Sequence, residues 1–288
     1  MYIFSYRHID TAQTYVNEQD VGAALHAVEK HNTCARNELF VTTKLANTNL
    51  GRPHIAHSVE ESLDNLKQKY VDLLLIHMPW GFARRGGENN YRPMLPGSLE
   101  FASYDLNDTW SVLERLYKEG LVKSIGLSNF TQKQMEEIMA NSKIKPHNVQ
   151  FECHIYYQQN VLRKFLNNKG IPSVTAYSPL GAPTRPERHV TPKNKFEIPL
   201  QDPVVNDIAK KHNVTPALVL LRFVLQLNLA VVVKTTNVER LEANLRVQDF
   251  DLDNKDMAKL HALDRNVRFF VFKFLQSHPD FPTQGEFF

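Results

Sequence analysis

The feature that most constrains the fold is a repeated pairing of a short apolar run with a following segment of helical periodicity. Runs at residues 6–12, 39–45, 70–78, 122–128, 149–153, 173–177 and 230–235 make seven candidate strands. Between them, segments such as 18–25 and 59–66 place apolar residues at the i, i+3/i+4 and i+7 spacing of an amphipathic helix. "VDLLLIH" and "LAVVVK" are too continuously apolar for a half-exposed strand and suit a parallel sheet covered on both faces. Repetition of this unit points to a (β/α)₈ barrel or to an open, doubly wound sheet. The 11 glycines include neither the dinucleotide-binding G-x-G-x-x-G nor the P-loop pattern, which favours the barrel.

Charge narrows the partners. The chain of 288 residues carries 34 Lys and Arg against 31 Asp and Glu, interspersed, so no basic stripe is available to follow a nucleic-acid backbone. No stretch approaches the roughly 18 apolar residues of a membrane span, and no secretory leader pattern opens the chain. The two cysteines, Cys34 and Cys153, form no C-x-x-C pair, which fits a reducing compartment without a thiolate metal site. A cytoplasmic protein is expected, without metal, nucleic-acid or membrane partners. Two long connections, residues 81–96 and 181–203, interrupt the alternation as functional loops do.

Catalytic groups of a barrel gather at the carboxyl ends of its strands. Here those ends deliver Asp10 with Tyr15 just beyond, Lys44, His77, Ser128 with Asn129, Gln150, Tyr177 and Lys234. Each has an ordinary structural alternative: Asp10 can cap a helix or pair with Arg7, and Lys44 can extend to the surface. As a set they make chemical sense. A phenol is too weak an acid near neutral pH, a neighbouring ammonium stabilises its phenolate, and a carboxylate keeps that ammonium charged. A histidine at the same rim can orient a substrate oxygen. A lysine at a strand end also leaves a Schiff-base aldolase open.

The stretches "YRHIDTAQTYVNEQDVG", "LFVTTKL", "YVDLLLIHMP", "KSIGLSNF", "VQFECH", "TAYSPLG" and "VVKTTNVERLEAN", with "LDRN" and "SHPDFP" further on, resemble the aldo-keto reductases of the eukaryotic aldehyde and aldose reductase type. The resemblance implies a single (β/α)₈ barrel domain over residues 1–288 and an NADPH-dependent oxidoreductase that reduces aldehydes and ketones to alcohols. Asp10, Tyr15, Lys44 and His77 match the catalytic tetrad, with Tyr15 as general acid. Ser128, Asn129 and Gln150 match the positions that bind the nicotinamide amide, and Tyr177 the aromatic that stacks on its ring. Ser178, Leu180 and Gly181 follow in the pyrophosphate loop. Lys234, Thr235, Arg240 and Asn244 match the adenosine 2′-phosphate site; the last two lie one helical turn apart, and the two cations favour NADPH/NADP+ over the unphosphorylated cofactor. The implied partner is a small-molecule carbonyl substrate, and the implied state a monomer.

Three departures accompany the resemblance. Ala182 and Thr184 stand where the family carries a serine and an acidic latch residue, which implies a looser cofactor loop. His154-Ile155-Tyr156 replaces "HPY". The family's first strand–helix unit is expected to be missing, since only residues 1–5 precede Tyr6. An impaired isoform, or a cofactor-binding regulatory protein of the same fold, is the alternative that this last departure raises.

Overall fold

In the computed structural model, which describes residues 6–84, 100–184, 186–195 and 197–281, the run at 70–78 contains a fully buried strand, Leu73–Ile76. The opening stretch 1–5, most of the 81–96 connection and the end of the phenylalanine-rich tail lie outside the described residues. The chain forms two units, one reaching to Val149 and resuming at Ser277, the other Gln150–Gln276.

The first unit alternates β1 (His8–Asp10), α1 (Glu18–Lys30), β2 (Phe40–Leu45), α2 (Arg52–Leu66), β3 (Leu73–Ile76), the short β4 (Gly81–Phe82) and β5 (Phe101–Ala102), α3 (Leu106–Glu119), β6 (Ile125–Ser128) and α4 (Gln132–Asn141). Strands β1, β2, β3 and β6 are successive parallel neighbours, with Ile9 opposite Val41, Thr43 opposite Leu74 and Leu75 opposite Gly126. This covered, parallel arrangement is why β3 could be apolar throughout. Helices α3 and α4 start where side chains take up orphan N–H groups: Asp105 accepts from Asn107 and Asp108 at the head of α3, and Thr131 with Gln134 forms a capping box on α4. Helices α1 and α2 meet at Gly22, where a Cβ would stand 2.1 Å from Asn65 O, so only glycine allows the approach. β4 and β5 pair antiparallel, a feature too short to leave a period in the sequence. The "SHPDFP" stretch returns to them: the buried His278 Nε2 lies 2.9 Å from Gly81 O, and Phe281 packs on Trp80.

β7 (Asn148–Glu152) carries the chain into the second unit, followed by α5 (Asn160–Asn168), β8 (Ser173–Tyr177), α6 (Pro203–His212), α7 (Pro216–Gln226), β9 (Ala230–Val232), α8 (Val238–Leu245) and α9 (Asn254–His261). β8 and β9 are parallel, with Thr175 opposite Ala230 and Tyr177 opposite Val232. The His154-Ile155-Tyr156 turn is closed by reciprocal backbone bonds between His154 and Tyr157, with Ile155 buried beneath it. Buried Glu152 organises the segment after α9: its Oε1 accepts from Phe269 N at 2.6 Å and its Oε2 from Phe270 N at 3.0 Å. His154 Nε2 lies 3.0 Å from the same carboxylate, and Arg268 flanks it. Burial alone would raise the Glu152 pKa; the His154 hydrogen bond and these other partners outweigh it and hold the group below the usual carboxylate range.

Candidate active site

All four tetrad candidates fall in the first unit, at one edge of its parallel strands. Asp10 ends β1, Lys44 is the penultimate residue of β2, and His77 directly follows β3. Tyr15 closes a one-turn 3₁₀ helix, Gln13–Tyr15, just beyond β1.

Lys44 is completely buried, which removes the alternative of a lysine reaching to the surface. Its Nζ is ion-paired with the Asp10 carboxylate, donates to Thr11 O at 3.0 Å and lies 3.4 Å from the Tyr15 hydroxyl. Asp10 therefore pairs with Lys44 rather than Arg7, whose guanidinium bonds Tyr6 O. Burial works against the ammonium, but the Tyr15 and Asp10 oxygens beside it prevail and raise its pKa. An amine held in the charged form is a poor nucleophile, which speaks against the Schiff-base alternative.

Tyr15 is 45% exposed as a residue, while its hydroxyl lies within reach of the buried Lys44 ammonium. His77 packs edge-on against the Tyr15 ring, with centroids 5.5 Å apart. Burial, and then the Lys44 ammonium, push the imidazole down to about 3, so it is neutral throughout the physiological range. Asn129 joins this corner from the end of β6. It sits in the left-handed region at φ 62°, and its Nδ2 donates to His77 O at 3.0 Å and to Ser128 Oγ at 3.0 Å.

Three supporting residues have no signature in the linear sequence. Buried Gln13 makes four hydrogen bonds: Nε2 to Ser58 O and Ser62 Oγ, and Oε1 from Ala46 N and Asn49 Nδ2. It thereby ties the turn bearing Tyr15 to α2 and to the loop after β2. Thr14 Oγ1 lies 3.1 Å from His77 Nδ1. Val16, immediately after Tyr15, takes φ 54°, a conformation that β-branched residues rarely adopt. Partners that come from distant segments leave no local pattern that could have revealed the first two.

The remaining candidates lie in the second unit. Gln150 is buried on β7 and Tyr177 ends β8, where the Phe270 ring meets it edge-on at 5.8 Å. The loop that follows has Ser178, Gly181 and Ala182 all in the left-handed region. A Cβ at Gly181 would meet the Pro199 ring at 2.5 Å and Phe269 at 2.7 Å, so glycine alone fits there. The partly buried Leu180 side chain packs against the cluster of Leu218, Leu221 and Val247. After β9, Lys234 and Arg240 are exposed and form no ion pair with any described residue, while Asn237 caps α8 by accepting from Arg240 N at 2.8 Å. Thr235 Oγ1 accepts from Asn237 N in the same turn, and Asn244 lies one turn beyond Arg240. A tight glycine-dependent loop and unpaired cations at a helix start are the groups that a phosphorylated dinucleotide requires, so these residues fit such a cofactor. Among the described residues no cluster of His, Cys, Asp and Glu is placed to hold a metal, and no helix is long and apolar enough to cross a membrane.

Comparison with known proteins identifies the family. The sequence profile of the aldo/keto reductase family matches residues 2–265. The chain is 40% identical over 284 residues to aldo-keto reductase family 1 member C15 of Rattus norvegicus, covering 98% of this chain and 86% of that protein. It is 38% identical over 267 residues to family 1 member A1 of Mus musculus, covering 92% and 80%. The structure of the aldose reductase from Schistosoma japonicum superposes with a TM-score of 0.87 at 37% identity, over 98% of this chain and 87% of that one. The chain belongs to the aldo/keto reductase family, with that family's α/β fold of parallel strands nearly closed into a barrel. The family consists of oxidoreductases that act on carbonyl compounds with nicotinamide cofactors.

Proposed function

We propose that this protein is an NADPH-dependent reductase of aldehydes and ketones in which Tyr15 is the general acid. The observation that carries the reading is the Tyr15 hydroxyl 3.4 Å from a fully buried lysine that is itself paired with Asp10. Tyr15 gives its proton to the carbonyl oxygen as negative charge develops there. The Lys44 ammonium stabilises the phenolate left behind, and Asp10 keeps that ammonium charged in a buried setting. Neutral His77 donates a hydrogen bond that orients the substrate oxygen. When bound, NADPH supplies the hydride to the carbonyl carbon. Ser128, Asn129 and Gln150 would hold its amide, Tyr177 its ring, and Ser178, Leu180 and Gly181 its pyrophosphate. Lys234, Thr235, Arg240 and Asn244 would hold the 2′-phosphate.

The same proposal takes residues 1–288 as one barrel domain, acting as a cytoplasmic monomer on small-molecule carbonyl substrates. NADPH oxidation followed at 340 nm with a panel of aldehydes tests it, with Tyr15→Phe alongside. The variant is expected to lose on the order of 10² to 10⁴ in kcat. A variant that turns over at the wild-type rate overturns the assignment of Tyr15.

A further inference from the structure

His77 presents two ring nitrogens, and in a neutral imidazole one carries hydrogen while the other accepts. Only the nitrogen that carries hydrogen can donate to a substrate oxygen, so the tautomer decides whether His77 can do its work. Elsewhere in the same unit the backbone makes this choice. At His278 the Asp280 N–H donates to Nδ1 at 3.0 Å, which leaves Nε2–H to donate to Gly81 O.

No backbone group of a described residue bonds either ring nitrogen of His77. Its Nδ1 lies 3.1 Å from Thr14 Oγ1, and its Nε2 has no hydrogen-bond partner among the described residues although the residue is only 9% exposed. Thr14 Oγ1 likewise has no other partner among the described residues. A hydroxyl has a single proton to place. Were Nδ1 to carry the hydrogen, Thr14 would accept it, its own proton would find no acceptor among the described residues, and Nε2 would be a bare lone pair facing the lone pairs of any carbonyl oxygen brought to it. With Thr14 as donor, the hydroxyl proton is satisfied and Nε2 carries the hydrogen.

We propose that Thr14 is a positioning residue whose hydroxyl donates to His77 Nδ1 and so fixes the Nε2–H tautomer, the form that can donate to a carbonyl oxygen. The final step rests on the reductase reading above; the tautomer assignment does not. The low pKa of His77 agrees with an imidazole that stays neutral and therefore has a tautomer to fix.

The test uses the full chain with histidine labelled with ¹⁵N and saturated with NADP+, the His77 signals being assigned by their loss in His77→Gln. Wild type is expected to show Nε2–H with a bare Nδ1. Thr14→Val, which keeps the shape and removes the hydroxyl, is expected to populate both tautomers and to lower kcat/KM for an aldehyde roughly tenfold. Its thermal midpoint should stay close to that of wild type, and Thr14→Ser should restore both tautomer and rate. An Nδ1–H tautomer in wild type overturns the proposal, as does a Thr14→Val protein that keeps either the wild-type tautomer or the wild-type kcat/KM. Should Thr14→Val fail to fold, the wild-type spectrum and Thr14→Ser decide alone. Tyr15→Phe separates the two claims: if it keeps full rate, the reading of Tyr15 fails while the spectrum still judges Thr14.

Discussion

The Lys44 ammonium is paired with the Asp10 carboxylate in a site from which Lys44 is wholly excluded from solvent. Removing one member of such a pair strands the other charge. Asp10→Asn should therefore destabilise the protein by about 3 kcal/mol in urea unfolding. The double variant Asp10→Asn with Lys44→Met should recover more than half of that loss. Because the folded pKa of Lys44 is raised, its contribution is complete below the ordinary lysine range and is lost only as pH rises through the raised value. The stability difference between wild type and Lys44→Met should accordingly be flat from about pH 6 to 9.

His77 carries the opposite sign. Its imidazole titrates near 3 when folded against an ordinary 6.5, so between those values the unfolded chain binds the extra proton and acid favours unfolding. Stability is full above the ordinary value and falls as pH drops through the window. Between pH 7 and 5 the wild type should lose about 2 kcal/mol more than His77→Gln, read from paired denaturation curves.

Val16 is 56% exposed and sits at φ 54°, so its side chain gains little from packing while its backbone is strained. Val16→Asn, a residue that tolerates this conformation, should stabilise the fold by about 1 kcal/mol, or roughly 2 to 4 °C in thermal midpoint. An unchanged or lower midpoint in calorimetry would remove the case for strain beside Tyr15.

Arg240 offers an exposed guanidinium, unpaired with any described residue, at the start of α8. Arg240→Met should raise the KM for NADPH roughly tenfold and leave that for NADH unchanged. Equal changes for both cofactors in steady-state kinetics would place the 2′-phosphate elsewhere.

Asp10, Lys44 and His77 were legible because each follows an apolar run, and parallel strands bring such endings to one edge. Tyr15 was legible through its short distance in sequence from Asp10. Gln13 and Thr14 were not: whether a polar residue in "TAQTY" is buried depends on Ser58, Ser62 and His77, which only the folded chain brings near. In the second unit the left-handed backbone at Ser178 and Ala182 was not legible, since neither residue type favours it. The exchange of edge contacts between Phe270 and Tyr177 was equally hidden in a phenylalanine-rich tail whose alternation fits no single period.

Glu152 grips the main-chain N–H groups of Phe269 and Phe270 rather than their side chains. A grip of that kind is indifferent to residue type at 270, where the ring is only partly enclosed. The chain's path there is fixed while the group displayed from it is exchangeable, so the segment serves as a mount with a replaceable fitting. Point substitution can then vary what faces Tyr177 without the backbone having to be rebuilt.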